Sequence, residues 1–333
     1  MNLLFLDAYF EPEIIAYTHL EKDLIQGLIE GNNYIQIICP IPTKGISNPV
    51  RDEYTGRKRE ELYDGRVKVR RFWAPRESKK TIFRAFRYFW CNLRSYQIGA
   101  SAKSIDLVFS NSTPPTQGLL GTMIAKKLSK KYKRKIPFVY NLQDVFPDSL
   151  VNAGMTKQGS LLWKIGRKIE DYTYRNTDRI IAISEGFKRN IMAKGVPEDK
   201  ITVVSNWIDI TAVQPVEKES NALYDDFGID RDKYIVVYAG NFGATQGADI
   251  VLEVAEKLKD MVDIQFVIFG GGVSFEDAKI RATSLPNVII HGLLSQERVP
   301  EVYSLGDVAL ITCKPGTGNA GMPSKVWRAI HRL

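Results

Sequence analysis

Apolar residues recur along the chain in two alternating rhythms. Short runs of mostly apolar, β-favouring residues occupy 2–7 (NLLFLD), 34–39 (YIQIIC), 67–72 (VKVRRF), 106–110 (DLVFS), 138–142 (FVYNL), 179–184 (RIIAIS) and 201–205 (ITVVS). Between them lie stretches with apolar residues at every third or fourth place, such as HLEKDLIQGLIEG and LLWKIGRKIEDYTYRN. The first rhythm predicts strands and the second amphipathic helices. Their alternation predicts an α/β fold, a parallel sheet covered by helices on both faces. At 206–233 the texture changes: the stretch is polar, holds Pro215 and lacks a strong period, which reads as a linker with a short helix. The alternation then restarts, with strands expected over 234–240, 264–272, 287–292 and 307–313. The expected architecture is two doubly wound domains, 1–205 and 234–333, with a cleft between them. In open sheets of this kind ligands bind beyond the carboxyl ends of the strands, so the loops that follow strands carry the chemistry.

The chain has 333 residues, 44% hydrophobic and 25% charged, which suits a globular protein of about two domains. No apolar run approaches the ~18 residues of a membrane span, and MNLLFLD is too short for a signal peptide. Cys39, Cys91 and Cys313 form no pair or metal spacing, which points to a reduced cytoplasm. The net charge of +8 favours an anionic partner. Much of it is concentrated in KKLSKKYKRK (126–135), with seven Lys or Arg and no acid, and in an aromatic, arginine-bearing stretch over 70–96. No recognised nucleic-acid motif accompanies either tract.

Three sets of loops follow strands with candidate residues. After the first strand, Glu11, Pro12 and Glu13 sit in an extended loop before His19 at a helix start. After the fifth, NLQDVFPDSL carries Asp144 and Asp148. A carboxylate there suits binding or acid–base work, and it equally suits capping the turn. After the strand at 234–240, AGNFGATQGADI leads Gly240, Gly243 and Gly247 into a helix. A second turn holds Gly270 and Gly271. Glycines let a backbone approach a ligand, and a helix N-terminus favours negative charge. Ordinary tight turns would look the same. The GxGxxG spacing of dinucleotide folds is missing, which speaks against a nicotinamide-dependent oxidoreductase. Nothing has the spacing of a metal site.

Together these segments resemble the retaining glycosyltransferases of family 4. EGFKRNIMAKGVPEDKITVVSNWIDI is similar to the end of their first domain, and YAGNFGATQGADIVLEVAEKL to the start of their second. VIFGGG and HGLLSQERVPEVYSLGDVALITCKPG follow in the same order. NLQDVFPDS looks like a segment of the subgroup that builds bacterial surface polysaccharides. The resemblance implies the GT-B fold: two facing Rossmann-like domains, the second incomplete here. It implies a nucleotide-sugar donor, UDP-linked in the subgroup, a lipid-linked saccharide acceptor, retention of configuration, and no metal or other cofactor. It places Asp144 near the reacting centre and Glu11, Pro12, Glu13 and His19 on the acceptor side. Gly240, Asn241, Gly243, Gln246, Gly247, Gly270, Gly271, Ser324 and Lys325 fall along the donor. Many relatives have an Arg and a Lys where Asn241 and Gln246 stand.

The helix expected over 81–96 mixes apolar and cationic residues. Phe83, Arg84, Phe86, Arg87, Trp90 and Arg94, with Lys130 and Lys131, are expected to meet the anionic inner leaflet of the cytoplasmic membrane. The alternative is a helix packed in the core. The match to relatives fades after Lys325, where VWRAIHRL has neither Glu nor a helix-ending Gly. That suggests a truncated donor domain, so an inactive remnant or a membrane-associated binding protein of the same fold is the competing expectation.

Overall fold

The structure is a computed structural model. It describes residues 1–13, 18–78, 81–207, 214–243 and 246–315, with only the backbone of His19, Thr81, Ile82 and Gln296. The chain divides into two compact units that part between Ser205 and Asn206.

The first unit contains β1 (Asn2–Leu6), α1 (Thr18–Glu30), β2 (Tyr34–Pro40), α2 (Asn48–Gly56), β3 (Arg59–Leu62), β4 (Val67–Phe72), α3 (Thr81–Ser101), β5 (Leu107–Asn111) and α4 (Gln117–Tyr132). It continues with β6 (Phe138–Leu142), α5 (Asp148–Asn152), α6 (Leu161–Asn176), β7 (Arg179–Ala182), α7 (Glu185–Ala193) and β8 (Ile201–Val203). Its eight strands lie in the order β3-β4-β2-β1-β5-β6-β7-β8, parallel except that β3 runs antiparallel to β4. Alternate strand residues feed opposite layers. Leu3, Phe5, Ile35, Ile37, Val67, Val69 and Phe109 pack with Ile25 of α1. Phe138 and Tyr140 face α4, where Gly121 and Gly118 leave room for their rings: a Cβ at Gly121 would lie 2.3 Å from the Phe138 ring.

The second unit contains α8 (Leu223–Asp226), β9 (Tyr234–Asn241), α9 (Asp249–Lys257), β10 (Ile264–Gly271), α10 (Phe275–Ala282), β11 (Val288–Gly292), α11 (Val299–Leu305) and β12 (Val308–Ala309). Its parallel sheet has the order β11-β10-β9-β12. Val236, Tyr238, Phe266 and Ile268 pack under α9 and α10. The intervening residues Ile235, Val237, Val267 and Phe269 pack on the other side with Leu223, Tyr224, Val302 and Leu305. Such strands, buried on both faces, read as the near-continuous apolar runs seen in the sequence.

Three local readings differ from expectation. The helix α2 and the strand β3 were absent from the sequence reading, because Arg59, Glu60 and Glu61 conceal a strand whose charges pair across to β4. The stretch at 206–233 is not all linker. Leu223, Tyr224 and Ile229 are core of the second unit, and buried Asn221 donates to the Glu301 carbonyl at 2.8 Å. The strand expected over 307–313 is only two residues long.

Candidate active site

In each sheet one strand has neighbours reached in opposite directions along the chain, and the carboxyl end of such a switch point is where open α/β sheets bind ligands. In the first unit the switch lies between β1 and β5, and in the second between β9 and β12.

At the first switch point β1 runs into buried Asp7 and β5 ends on buried Asn111. Asn111 Nδ2 donates to Asp7 Oδ1 at 3.3 Å and to Glu21 Oε1 of α1 at 3.5 Å. Its Oδ1 accepts from Asn141 Nδ2 at 2.8 Å, and Asn141 Oδ1 accepts from Gln143 Nε2 at 3.3 Å. The Asp7 and Glu21 carboxyls lie close enough to act on each other. Burial pushes both carboxyls up, and the charge of Asp7 pushes Glu21 further.

The loop after β6 is suspended from Ser112, whose Oγ accepts from the N–H groups of Gln143 and Asp144 at 3.0 and 2.9 Å. The Asp144 carboxyl accepts from Ser149 and from the Val145 N–H, yet burial dominates and pushes it up to about 6. It therefore caps the turn and also titrates near neutrality. Asp148 starts α5 and is held by Asn190 and Lys194.

The loop after β1 corrects one expectation. Glu13 does not face an acceptor. It is buried, and its carboxylate accepts from the N–H groups of Phe10, Thr43 and Lys44, tying two loops together. Glu11 and Pro12 are half-buried, with the Glu11 carbonyl accepting from Arg71 at 2.6 Å. His19 lies at the start of α1, as its sequence context predicts, with its side chain outside the described residues.

At the second switch point, Gly240 and Asn241 pair with Gly270 and Gly271. Phe242 N–H donates to the Gly271 carbonyl at 2.7 Å, and its ring is buried against Phe275. A Cβ at Gly272 would lie 2.1 Å from Asn241 Oδ1 at a φ of +116°, a double requirement for glycine. Asn241 and Gln246 both close on Gly243, and Gly247, at φ +60°, leads toward α9. Lys314, after β12, packs against Gly247: its Cγ lies 3.3 Å from where a Cβ would be. The sequence reading missed this cation, since only strand order brings the two loops together. Ser324 and Lys325 lie outside the described residues. No group of three or more potential metal ligands occurs among the described residues.

The aromatic stretch forms α3. Phe83, Phe86, Phe89 and Leu93 are exposed, so this face is not packed in the core. Trp73 is exposed beside them, meets Trp90 edge-on, and accepts from Trp90 Nε1 through its carbonyl. Arg84 is exposed, and Arg94 is half-buried and donates to Gln97. Arg87 is a correction. It is almost fully buried and points inward, donating to the Pro75 carbonyl at 3.1 Å and to Thr43 Oγ1 at 2.7 Å. Its guanidinium lies 3.9 Å from Glu77, which pairs with Tyr9. An inward-facing turn of helix can hide a cation when its donors find carbonyl partners. Lys130 and Lys131 are exposed, but Lys131 donates to the carbonyls of Ser101 and Ala102, at the far end of α3. That is roughly 25 Å along the helix from Phe83, at 1.5 Å per residue. They do not share the aromatic face. No described helix is long and apolar enough to cross a membrane.

Residues 35–207 match the Glycosyl transferase 4-like domain family, and residues 220–324 match the Glycosyl transferases group 1 family. WcaI of Escherichia coli strain K12, named for glycosyl transfer in colanic acid biosynthesis, is 27% identical over 56% of this chain and 47% of its own length. WbjE of Pseudomonas aeruginosa, named a probable glycosyltransferase, is 26% identical over 74% of this chain and 58% of its own. The alpha-galactosylglucosyldiacylglycerol synthase of Streptococcus pneumoniae is 28% identical over 55% of this chain and 48% of its own. The chain thus spans about half the length of these relatives. Among solved structures, Anabaena HepE in complex with UDP superposes with a TM-score of 0.66 at 13% identity, over 99% of this chain and 78% of that one. WaaG, a glycosyltransferase involved in lipopolysaccharide biosynthesis, gives 0.62 at 12% identity, over 99% and 78%. These likenesses show the fold to be GT-B.

Proposed function

The chain belongs to the family of the Glycosyl transferase 4-like domain, and from that premise we propose that it moves a sugar from a nucleotide-sugar donor to a lipid-linked saccharide. The product would be a bacterial surface polysaccharide or glycolipid, as the names of the relatives suggest. The observation that carries this reading is the pair of equipped switch points: Asp144 and the polar strand ends in the first unit, the glycine loop with Lys314 in the second.

On this reading the donor is UDP-linked, and its diphosphate lies along Gly240, Asn241, Gly243, Gln246 and Gly247, with Gly270 and Gly271 beneath. Backbone N–H groups and the N-terminus of α9 stabilise the charge on the leaving nucleoside diphosphate. Lys314 supplies the cation that Asn241 and Gln246 do not. No metal takes part. Asp144, ionised above about pH 6, stabilises positive charge developing on the sugar, and transfer retains configuration. The exposed aromatic face of α3, with Arg84 and Arg94 near it, holds the enzyme at the inner leaflet of the cytoplasmic membrane, where lipid-linked acceptors lie.

The test is thermal stability of the full chain with UDP, GDP and NAD, followed by Lys314→Ala. UDP should raise the melting temperature, NAD should not, and Lys314→Ala should weaken UDP binding about tenfold, the value of one charge-assisted contact. A response to NAD alone, or to no nucleotide, would sink the reading.

A further inference from the structure

Three helices of the first unit lie side by side on one face of its sheet. α3, α4 and α6 carry the crossovers from β4 to β5, β5 to β6 and β6 to β7, parallel strands joined in one direction across the sheet. Asn92 of α3 donates to Thr116 Oγ1, at the start of α4, at 2.8 Å, and Gly118 of α4 packs on Thr173 of α6. These contacts set the levels of the helices. Phe86 lies six residues before Asn92, and Ile165 eight before Thr173, so at 1.5 Å per residue they stand about 9 and 12 Å beyond the start of α4. Both helix tips pack on loops at the carboxyl edge of the sheet. Arg87 and Trp90 donate to carbonyls of the loop after β4, and Gly166 packs on Phe146 and Pro147 after β6.

The tip of α3 carries the exposed rings of Phe83, Phe86 and Phe89, and the tip of α6 carries a second apolar patch. Leu161 is 76% exposed, and Met155, Leu162 and Ile165 are exposed as well. Single exposed apolar residues are ordinary on a surface, but a cluster at the open end of a helix marks a contact. Charge indicates the occupant. From Ser149 to Ile169 the chain has four Lys or Arg and no Asp or Glu, and Lys157, Lys164 and Lys168 are exposed around the patch. Apolar side chains fringed by cations, with no acid among them, match the layering of an anionic bilayer, acyl chains beneath phosphates.

We propose that the N-terminal turns of α6 are a second lipid contact, which with the aromatic face of α3 seats the first unit on an anionic bilayer at two places about 20 Å apart, on either side of α4. The proposal rests on the reading that α3 meets the membrane. One helix attaches a protein but leaves it free to tilt about that helix, whereas two contacts fix the tilt. Leu161 and Ile165 enter the acyl boundary while Lys164 and Lys168 stay at phosphate depth. Because Gly166 packs on Phe146 and Pro147, which follow Asp144, the loop after β6 is then held at a constant height above the headgroups.

Co-sedimentation of the full chain with phosphatidylglycerol and phosphatidylcholine vesicles tests it. Leu161→Ser with Ile165→Ser should lower partitioning onto phosphatidylglycerol about tenfold, since burial is only partly realised at headgroup depth. Lys164→Gln with Lys168→Gln should lower it about thirtyfold at low salt and leave phosphatidylcholine binding unchanged. Circular dichroism should not change in either variant, because all four side chains are exposed. Leu161→Cys in a Cys313→Ser chain, carrying a nitroxide, should meet dissolved oxygen more and a water-soluble nickel complex less once vesicles are added. If both α6 variants partition within threefold of the unaltered chain while Phe83→Ser with Phe86→Ser abolishes binding, the second contact is overturned and the first stands. An unaltered chain that binds neither vesicle overturns both. A dimer in sedimentation velocity that Leu161→Ser with Ile165→Ser dissociates, with vesicle binding unchanged, would give this face to a second copy of the chain instead.

Discussion

Replacing Phe83 and Phe86 by serine separates lipid contact from folding, because both rings already lie in solvent. Phe83 is 60% exposed and Phe86 is 55% exposed. Taking ~200 Å² for a phenylalanine side chain, about 120 and 110 Å² remain to be buried. At ~25 cal/mol per Å² this is about 3 kcal/mol for each ring on complete burial. A helix lying at headgroup depth stays partly wet, so roughly half is realised, about 3 kcal/mol for the two together. That corresponds to a fall in vesicle partitioning of somewhat more than a hundredfold. The measurement is co-sedimentation of the full chain with phosphatidylglycerol and with phosphatidylcholine vesicles at low salt. Circular dichroism should show the helix content unchanged, and the midpoint of urea unfolding should move by less than about 0.5 kcal/mol equivalent. Arg84 and Arg94 add about 1 kcal/mol each on the anionic vesicles, a part that salt removes and the aromatic part survives. If the double variant binds phosphatidylglycerol within threefold of the unaltered chain, this face is not the lipid contact.

Two further outcomes follow from the buried charges. Arg87→Leu should cost about 3 kcal/mol in urea unfolding, since it strands the Pro75 carbonyl and Thr43 and leaves Glu77 without its cation, while vesicle binding per folded molecule stays unchanged. Lost binding with intact stability would return Arg87 to the surface. The Asp144 carboxyl is raised in the folded state from 3.8 to about 6, so between these values the folded chain holds more protons than the unfolded one. Stability therefore rises as pH falls through about 6, and Asp144→Asn should remove that increment from a melting-temperature series between pH 7.5 and 5. The same variant should lose about a hundredfold or more in transfer, and an unchanged pH series with full activity would refute both roles.

How far the sequence could be read depended on whether a signal was local. Apolar runs such as YIVVYAG announce a doubly covered parallel strand by themselves, and β9 forms there. REEL announces nothing, because a strand whose charges are paired across the sheet looks like a loop. Leu223, Tyr224 and Ile229 were hidden in the same way, as isolated apolar residues in polar surroundings. Asp144 was legible because the loop after a strand is a privileged place. Asp7, Asn111 and Asn141 each stand as a polar residue at or near the end of an apolar strand, a signal available in the sequence. Their partnership depends on β1, β5 and β6 being neighbours, which no local pattern encodes. Lys314 beside Gly247 is the same lesson in the second unit. Arg87 failed for the opposite reason: helical spacing put it next to exposed rings, but one further rotation about the axis turned it into the loops behind.

The antiparallel strand β3 has a consequence for how the chain behaves in a crowd. The eight-stranded sheet ends there, and an outermost strand offers unpaired N–H and C=O groups to any other extended chain. Three of its four residues are charged, and Glu61 stays mostly in water although it lies near Lys68. A second strand docking alongside would have to strip water from those charges without replacing their partners. The sheet is thus sealed electrostatically rather than by a covering helix. Neutralising Arg59 and Glu61 together would leave the fold intact and expose it to growth by strand addition, seen first as aggregation under conditions where the native molecule is still stable.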